Sequence, residues 1–188
     1  NKETASPGTT GKCMVMVTPD ADRTMNTYLG ITASFSEEEV SYDALKESQW
    51  LYVEGYLVAS PSGQEAALKT LDFARKNSIK TALTMSDPNM VKFFRENFNA
   101  LIGNGVDLLF CNEEEAIEFT GTNDFKEARE KLKTVSKSFV ITLGKNGATL
   151  WDGKMFIDIE PHNVDALDSN GAGDMFAGAY LYGITNGH

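Results

Sequence analysis

The chain is poor in the residues that build metal and redox centres: it has 2 cysteines and 2 histidines in 188 residues. Structural and catalytic zinc sites need clustered Cys, His and carboxylate ligands. His162 and His188 stand alone, so no zinc site is expected. One mid-chain histidine does not make a Ser-His-Asp triad either. Positive charge is also short, with 17 Lys and Arg against 27 Asp and Glu, a net charge of −10. Such a surface repels nucleic acid and anionic membranes, so neither is an expected partner. A small anionic ligand stays open, because a helix terminus and one or two cations can dominate locally. No apolar run approaches the ~20 residues that span a bilayer. The first residues carry no charged-then-apolar leader pattern. The P-loop pattern Gly-x-x-x-x-Gly-Lys-Ser/Thr does not occur, nor does an internal repeat or a low-complexity linker. Cys13 and Cys111 each lie in apolar, strand-like runs. Two unpaired, buried thiols suit a reducing compartment, and a cytoplasmic protein is expected.

What is present is an ordinary globular composition, 41% hydrophobic and 23% charged, in a chain long enough for one domain with a core. Residues 1–11 are small and polar and read as a loop. Cys13–Thr18 reads as a strand, Pro19–Asp22 as a turn and Arg23–Leu29 as a returning strand, which predicts a hairpin over 13–29. Ser36 with Glu39 is a capping box opening a helix to about Lys46. A short strand covers Trp50–Val53. Ser62 is expected to cap a helix that runs to about Lys76. A strand over Lys80–Met85, a helix over 90–98 and a strand over Val106–Cys111 follow. Helices over Glu113–Phe119 and Phe125–Val135 precede a strand over Ser138–Leu143. Two further strands, Ala148–Trp151 and Met155–Ile159, meet at the Asp152-Gly153 turn. Strands near 51, 82, 108 and 140 thus alternate with helices. That rhythm predicts βαβ units, a largely parallel sheet covered by helices on both faces, and an antiparallel last pair. Ligands of such sheets sit at the carboxyl ends of the strands.

The densest chemistry lies near the end, in Asp168-Ser169-Asn170-Gly171-Ala172-Gly173-Asp174 followed by the small, apolar run Met175–Leu181. Gly171 and Gly173 allow a sharp turn and close approach of backbone N–H groups to a ligand. The helix that follows offers unpaired N–H groups and a partial positive charge, an anion site. Asp174 in its first turn is placed to take a proton from an attacking hydroxyl. Phe176 stands where a dinucleotide fingerprint needs a third small residue, so the run is not that motif. The pattern suits phosphoryl transfer from a nucleotide to an alcohol.

The run from Asp168 to Leu181 resembles the C-terminal signature of the ribokinase-like (PfkB) kinases, and within them the adenosine kinases. The resemblance implies a three-layer αβα sandwich with a mostly parallel central sheet and a small β lid. Hairpin 13–29 matches the lid, and 36–188 matches the α/β core with the nucleotide site. Family members are considerably longer, so the implied fold is incomplete in this chain, with N-terminal and C-terminal parts missing. The resemblance makes Asp174 the catalytic base and the amides of Gly171, Ala172 and Gly173 the anion hole. Asn112 and Glu115 match an Asn-x-x-Glu motif that tunes Mg²⁺ and phosphate, Glu115 through water. Acids at a helix start also arise for dipole reasons alone, which is the reading for Glu113 and Glu114. Thr142, Gly144 and Gly147 match a Thr-x-Gly-x-x-Gly nucleotide segment, although Asn146-Gly147 is a turn signal in its own right. Asn170 falls near the nucleotide. Lys145 is by default a surface lysine in a turn. Arg23 either neutralises the transferring phosphate or is an edge-strand arginine facing water. Tyr56 either stacks on a nucleobase or is a core aromatic.

The function implied is an ATP-dependent, Mg²⁺-assisted transfer to a primary hydroxyl of a ribosyl substrate, most specifically adenosine. Thr10-Gly11-x-Cys13, Tyr52-Val53-x-Gly55-Tyr56, and Met85-Ser86-x-Pro88 with Phe93 and Phe94 carry the adenosine preference. Sugar kinases of the ribokinase and fructokinase type, inosine or guanosine kinases, and a non-catalytic nucleotide sensor are the alternatives. The resemblance also admits a homodimer through the lid.

Overall fold

A computed structural model of the chain describes residues 8–19, 23–165 and 167–188. Contacts divide the chain into two compact units. Among the described residues one holds Ser34–His162; the other holds Gly8–Ala33 together with Asn163–His188.

The larger unit is built on a six-stranded sheet. Its strands are β3 (Trp50–Val53), β4 (Lys80–Thr84), β5 (Val106–Asn112), β6 (Ser136–Thr142), β7 (Ala148–Trp151) and β8 (Phe156–Ile159), arranged side by side in chain order. β3 to β6 are parallel; β7 and β8 turn back antiparallel. The middle strands bury consecutive residues, such as Leu108–Cys111 and Phe139–Ile141, so both faces are shielded from water. That is the pattern of a covered parallel sheet. On one face Leu83, Leu109, Phe139 and Ile141 share a core with Ala67 and Leu71, Phe98 and Leu101, Ala116 and Phe119, and Leu132. These come from helices α2 (Pro61–Lys76), α4 (Arg95–Ile102), α5 (Glu113–Thr120) and α6 (Phe125–Leu132). The spacing of two on strands and four on α2 puts each set on a single face. At the amino ends of the strands, Asp107 ties three of them together. It accepts from the Thr81 N–H at 2.8 Å and from Lys137 Nζ at 2.6 Å. The opposite, carboxyl edge is left to the loops.

Several boundaries differ from expectation for local reasons. The Ser36–Glu39 capping box is formed, but it closes only a 3-10 turn over Glu37–Glu39. Val40 is extended, and Ser41 caps a separate α1 (Tyr42–Lys46) by accepting from the Ala44 N–H. Two caps in six residues break what reads as one helix. Ser60 rather than Ser62 caps α2, because Pro61 sits at the first helical position, where its missing N–H costs nothing. Ser62 instead donates to the Phe35 carbonyl at 2.8 Å. The helix expected over 90–98 is two, α3 (Pro88–Phe93) and α4, separated at Phe94, whose φ of −126° leaves the helical region. β6 begins at Ser136, two residues early, and β4 ends at Thr84.

In the second unit, β1 (Lys12–Val17) and β2 (Arg23–Tyr28) form the expected antiparallel hairpin; the turn residues 20–22 lie outside the described residues. Cys13 is exposed rather than buried, while Cys111 is buried, and neither is bonded to the other. A two-stranded ribbon cannot bury a side chain on both faces, so Met14, Met16, Met25 and Tyr28 are exposed as well. Helix α7 (Ala172–Thr185) carries the glycine-rich signature. Among the described residues no helix is long and apolar enough to cross a membrane.

Candidate active site

The carboxyl edge of the larger unit collects the sequence motifs. Asn112 ends β5, Thr142 ends β6, and the parallel register makes the two direct neighbours. They border an open groove of about 420 Å³ lined by Asn112, Glu113, Glu114, Ile117, Thr142, Leu143 and Gly144. Three of the six residues expected at the nucleotide, Asn112, Thr142 and Gly144, therefore share one groove. Gly144 enters a 3-10 turn at φ +56°, and nothing lies within 4 Å of where its Cβ would be. Its side-chain-free face is open to a ligand.

Asn112 and Glu115 form a reciprocal capping box at the start of α5. Asn112 Oδ1 accepts from the Glu115 N–H at 2.8 Å, while Glu115 accepts from the Asn112 N–H at 2.8 Å and from Asn112 Nδ2 at 3.0 Å. Glu115 is buried. Burial pushes its carboxyl up to about 7; the Asn112 N–H works against that, and the charges of Asp87 and Glu114 add to it. With the Glu115 amide capped by Asn112 and three acids in its first turn, α5 favours a cation over a phosphate at its start. Among the described residues no three His, Cys, Asp or Glu side chains converge to hold a metal. Mg²⁺ bound mainly by phosphate and water, with a carboxylate at one remove, fits this donor set.

Gly147 has a different reason to be glycine. It sits at φ +89°, and a Cβ there would overlap the Ile159 carbonyl oxygen and lie 3.1 Å from Pro161 N. It closes the β6–β7 hairpin, with Leu143 N–H donating to its carbonyl at 2.8 Å. Lys145 is exposed in that turn.

At the carboxyl ends of β3 and β4 lie Glu54, Tyr56 and Ser86. Tyr56 belongs to a 3-10 turn over Gly55–Ala59 and is half exposed rather than a core aromatic. Its hydroxyl donates to the Ser86 carbonyl at 3.4 Å. Glu54 escaped the sequence reading, and Ser86 entered it only within Met85-Ser86-x-Pro88; its φ of +64° leaves no compositional trace.

In the second unit, Gly171 caps α7 at φ +74°, a left-handed conformation that favours glycine. Asp168 Oδ1 accepts from the Asn170 N–H at 2.8 Å, and the Ala172 N–H donates to the Ser169 carbonyl at 3.2 Å. These bonds fold the loop. Among the described residues the N–H groups of Gly171, Gly173 and Asp174 have no acceptor in the chain. Apart from its chain neighbours and its own helix backbone, nothing among the described residues lies within 4 Å of a Cβ placed on Gly173. Internal packing therefore gives no reason for that glycine. Asp174 is exposed in the first turn of α7. Arg23 opens β2 opposite Val17; its side chain lies outside the described residues.

The chain is similar to known proteins along nearly its whole length. The profile of the pfkB family carbohydrate kinases matches residues 2–188. A 5-dehydro-2-deoxygluconokinase of Clostridium perfringens is 29% identical over 163 residues, covering 80% of this chain and 47% of the relative. An adenosine kinase of Schizosaccharomyces pombe is 27% identical over 199 residues, covering 95% and 57%. The crystal structure of adenosine kinase from Sinorhizobium meliloti superposes with a TM-score of 0.89 at 33% identity, covering 94% of this chain and 54% of that one. The chain spans about half the length of the relatives it matches. The fold is ribokinase-like α/β with a mostly parallel central sheet. The chain belongs to the pfkB family of carbohydrate kinases.

Proposed function

We propose that the full protein transfers the γ-phosphate of ATP to a primary hydroxyl of a ribosyl substrate, adenosine first among them. The observation that carries this is the start of α7, with open amides at Gly171, Gly173 and Asp174 beside the exposed Asp174 carboxylate. Open amides at a helix start stabilise a developing anion. Asp174 accepts the proton of the attacking hydroxyl. Asn112, Thr142 and Gly144, sharing one groove, receive the nucleotide, with Asn170 and Gly147 shaping the loops around it. Mg²⁺ carried on the phosphates neutralises their charge; Glu115 acts on that ion through water. Arg23 serves the transferring phosphate and Tyr56 the acceptor. So little covalent work is needed that positioning and charge stabilisation account for the rate. The same reading carries a cytoplasmic location and a homodimer through hairpin β1–β2, whose Met14, Met16 and Met25 are exposed.

A sugar-acid acceptor is the second reading, favoured by the likeness to 5-dehydro-2-deoxygluconokinases. The test is ADP formation by the full-length protein with Mg-ATP against adenosine, inosine, ribose, fructose and 5-dehydro-2-deoxygluconate, with Asp174→Asn alongside. Turnover on adenosine that the substitution abolishes supports the proposal. Turnover on the sugar acid alone keeps the mechanism and replaces the acceptor. Binding of ATP with no Asp174-dependent turnover on any of the five overturns it in favour of a nucleotide sensor.

A further inference from the structure

Four asparagines of the chain precede glycine: Asn104, Asn146, Asn170 and Asn186. Asparagine is thermolabile. It is least durable before glycine, because the backbone nitrogen of the next residue attacks the side-chain amide, and no Cβ blocks the approach. Attack needs a backbone N–H free of an acceptor, an asparagine side chain free to turn, and room for the loop to bend. The structure separates the four pairs on these terms. The Gly105 N–H donates to the Ile102 carbonyl at 2.9 Å, and the Gly147 N–H donates to the Gly144 carbonyl at 3.3 Å. Both nitrogens are engaged, and Gly147 is also packed against the Ile159 carbonyl. The Gly187 N–H has no acceptor among the described residues. There it is the asparagine that is held, since Asn186 Nδ2 donates to the Tyr182 carbonyl at 2.8 Å.

Asn170 alone meets every condition. It is exposed, and its side chain makes no hydrogen bond among the described residues. The Gly171 N–H has no acceptor there either. Apart from its chain neighbours, nothing among the described residues lies within 4 Å of a Cβ placed on Gly171, so the loop has room to bend. Gly171 also caps the amino end of α7, whose partial positive charge stabilises the amide anion that attacks. Gly187 lies past the carboxyl end, where the partial charge is negative. The φ of +74° holds glycine at 171. The vulnerable pair therefore cannot be relieved at its second member without strain.

We propose that Asn170 is a site of spontaneous deamidation, and that this modification inactivates the glycine-rich loop as the protein ages. Hydroxide takes the Gly171 amide proton. The nitrogen then bonds to Asn170 Cγ and closes a succinimide ring, while the Cγ–Nδ2 bond breaks and Nδ2 leaves as ammonia, protonated from water. A second water opens the ring. Cleavage between Gly171 N and Cγ leaves an aspartate; cleavage between that nitrogen and the main-chain carbonyl carbon leaves an isoaspartate, with the chain rerouted through Cβ and Cγ. The net change consumes water and releases ammonia, with no oxidation or reduction. Either product sets a carboxylate beside the open amides of Gly171, Gly173 and Asp174, and the isoaspartate also lengthens the backbone leading to them. The loss of activity rests on the kinase reading above; the deamidation itself does not.

The test holds the full-length wild type and Asn170→Ser in warm, mildly alkaline buffer, with and without Mg-ATP. Samples are taken over time for peptide mapping by mass spectrometry and for ADP formation with adenosine. Conversion at Asn170 is expected to outpace that at each of the other three asparagines by about 10-fold or more, the factor of one hydrogen bond that must first be broken. Wild-type activity falls in step with the converted fraction, while Asn170→Ser, referred to its own starting rate, keeps its activity. Asn170→Asp, which supplies one product directly, lowers kcat/KM by about 10-fold or more, because a carboxylate then faces the phosphate oxygens. Mg-ATP slows conversion at Asn170 and leaves Asn186 unaffected, since phosphate occupies the Gly171 N–H. Conversion at Asn170 no faster than at the other three overturns the inference. So does full activity in Asn170→Asp, or an equal loss of activity on ageing in Asn170→Ser. Fast conversion that Mg-ATP does not slow supports the deamidation and counts instead against an anion site at these amides. If the wild type does not turn over adenosine, the kinase reading fails, and the peptide map still decides the deamidation.

Discussion

Two glycines three residues apart, Gly144 and Gly147, match the same motif, yet the structure gives them different work, and alanine separates them. At Gly144 the backbone sits at φ +56° with open space where a Cβ would go. Alanine there costs only the left-handed conformation, about 1–2 kcal/mol. At Gly147 the φ of +89° is less favourable, and the Cβ would overlap the Ile159 carbonyl oxygen. A Cβ has no rotamer by which to escape, so β8 must shift away from β7. Overpacking of this kind adds about 1–3 kcal/mol, for a total of about 2–5 kcal/mol against the 5–15 kcal/mol of a typical domain. Urea unfolding of the two variants in the full-length protein measures the difference directly, provided the slope of the transition stays constant. Gly147→Ala is expected to be the less stable by about 1–3 kcal/mol. The KM for ATP reads the other half. Gly144→Ala should raise it, because the added methyl enters the groove with Asn112 and Thr142, while the folded fraction of Gly147→Ala should bind ATP normally. Equal stability of the two variants would refute the packing argument. An unaltered KM in Gly144→Ala would refute nucleotide contact at that residue.

Glu115 makes stability pH-dependent. Its carboxyl is raised from an ordinary 4.5 to about 7, chiefly by burial, so the folded state holds a proton that the unfolded state has released. The stabilisation is complete below about pH 4.5 and is lost as pH rises through about 7, amounting to roughly 3 kcal/mol at most. Unfolding free energies from pH 4.5 to 8.5 should decline in the wild type and run flatter in Glu115→Gln; parallel profiles would contradict this. Thiol labelling under native conditions should modify Cys13, which is exposed, and spare Cys111, whose thiol is pushed up by burial and by the nearby Glu115 charge; two fast thiols would show the core to be open. Asp174→Asn should cut turnover by about 10²- to 10⁴-fold and leave the melting temperature nearly unchanged, because the side chain is exposed; a large loss of stability would mean that Asp174 serves the fold.

How far the molecule could be read from its sequence depended on the range of the cause. The parallel strands were legible because each is a short apolar run between turn signals, and so was the place of Asn112 and Thr142 at strand ends; that the two strands are neighbours was not. Helix starts were legible only where one cap was present. With Ser36 and Ser41, or Ser60 and Ser62, competing, the outcome turned on Pro61 and on the extended Val40. The break at Phe94 and the left-handed Ser86 show only in the backbone angles, and neither has a residue type that announces it. Cys13 was misplaced because apolar alternation predicts a buried face, and an isolated ribbon has none on which to rest. The packing reason for Gly147 was not legible beside its turn and nucleotide readings, because the strand that forbids its Cβ, β8, returns only after a dozen residues.

The Asn112–Glu115 pair shows why a motif alone does not divide chemistry from architecture. Both Glu115 oxygens already accept from Asn112, and the Asn112 side chain already serves the Glu115 N–H. Truncating either residue uncaps α5 at a typical cost of about 1 kcal/mol and moves the end of β5, where the groove lies. A loss of activity in Asn112→Ala or Glu115→Ala would therefore not reveal a role toward Mg²⁺. Glu115→Gln is the discriminating change. Its amide oxygen can still accept from the Asn112 N–H, so the cap is largely kept, while the negative charge that would act on the ion is gone. If Glu115 acts on the ion through water, the variant should need several-fold more free Mg²⁺ to reach half-maximal rate, with an unchanged circular dichroism spectrum. An unchanged Mg²⁺ requirement would assign the pair to the helix cap alone.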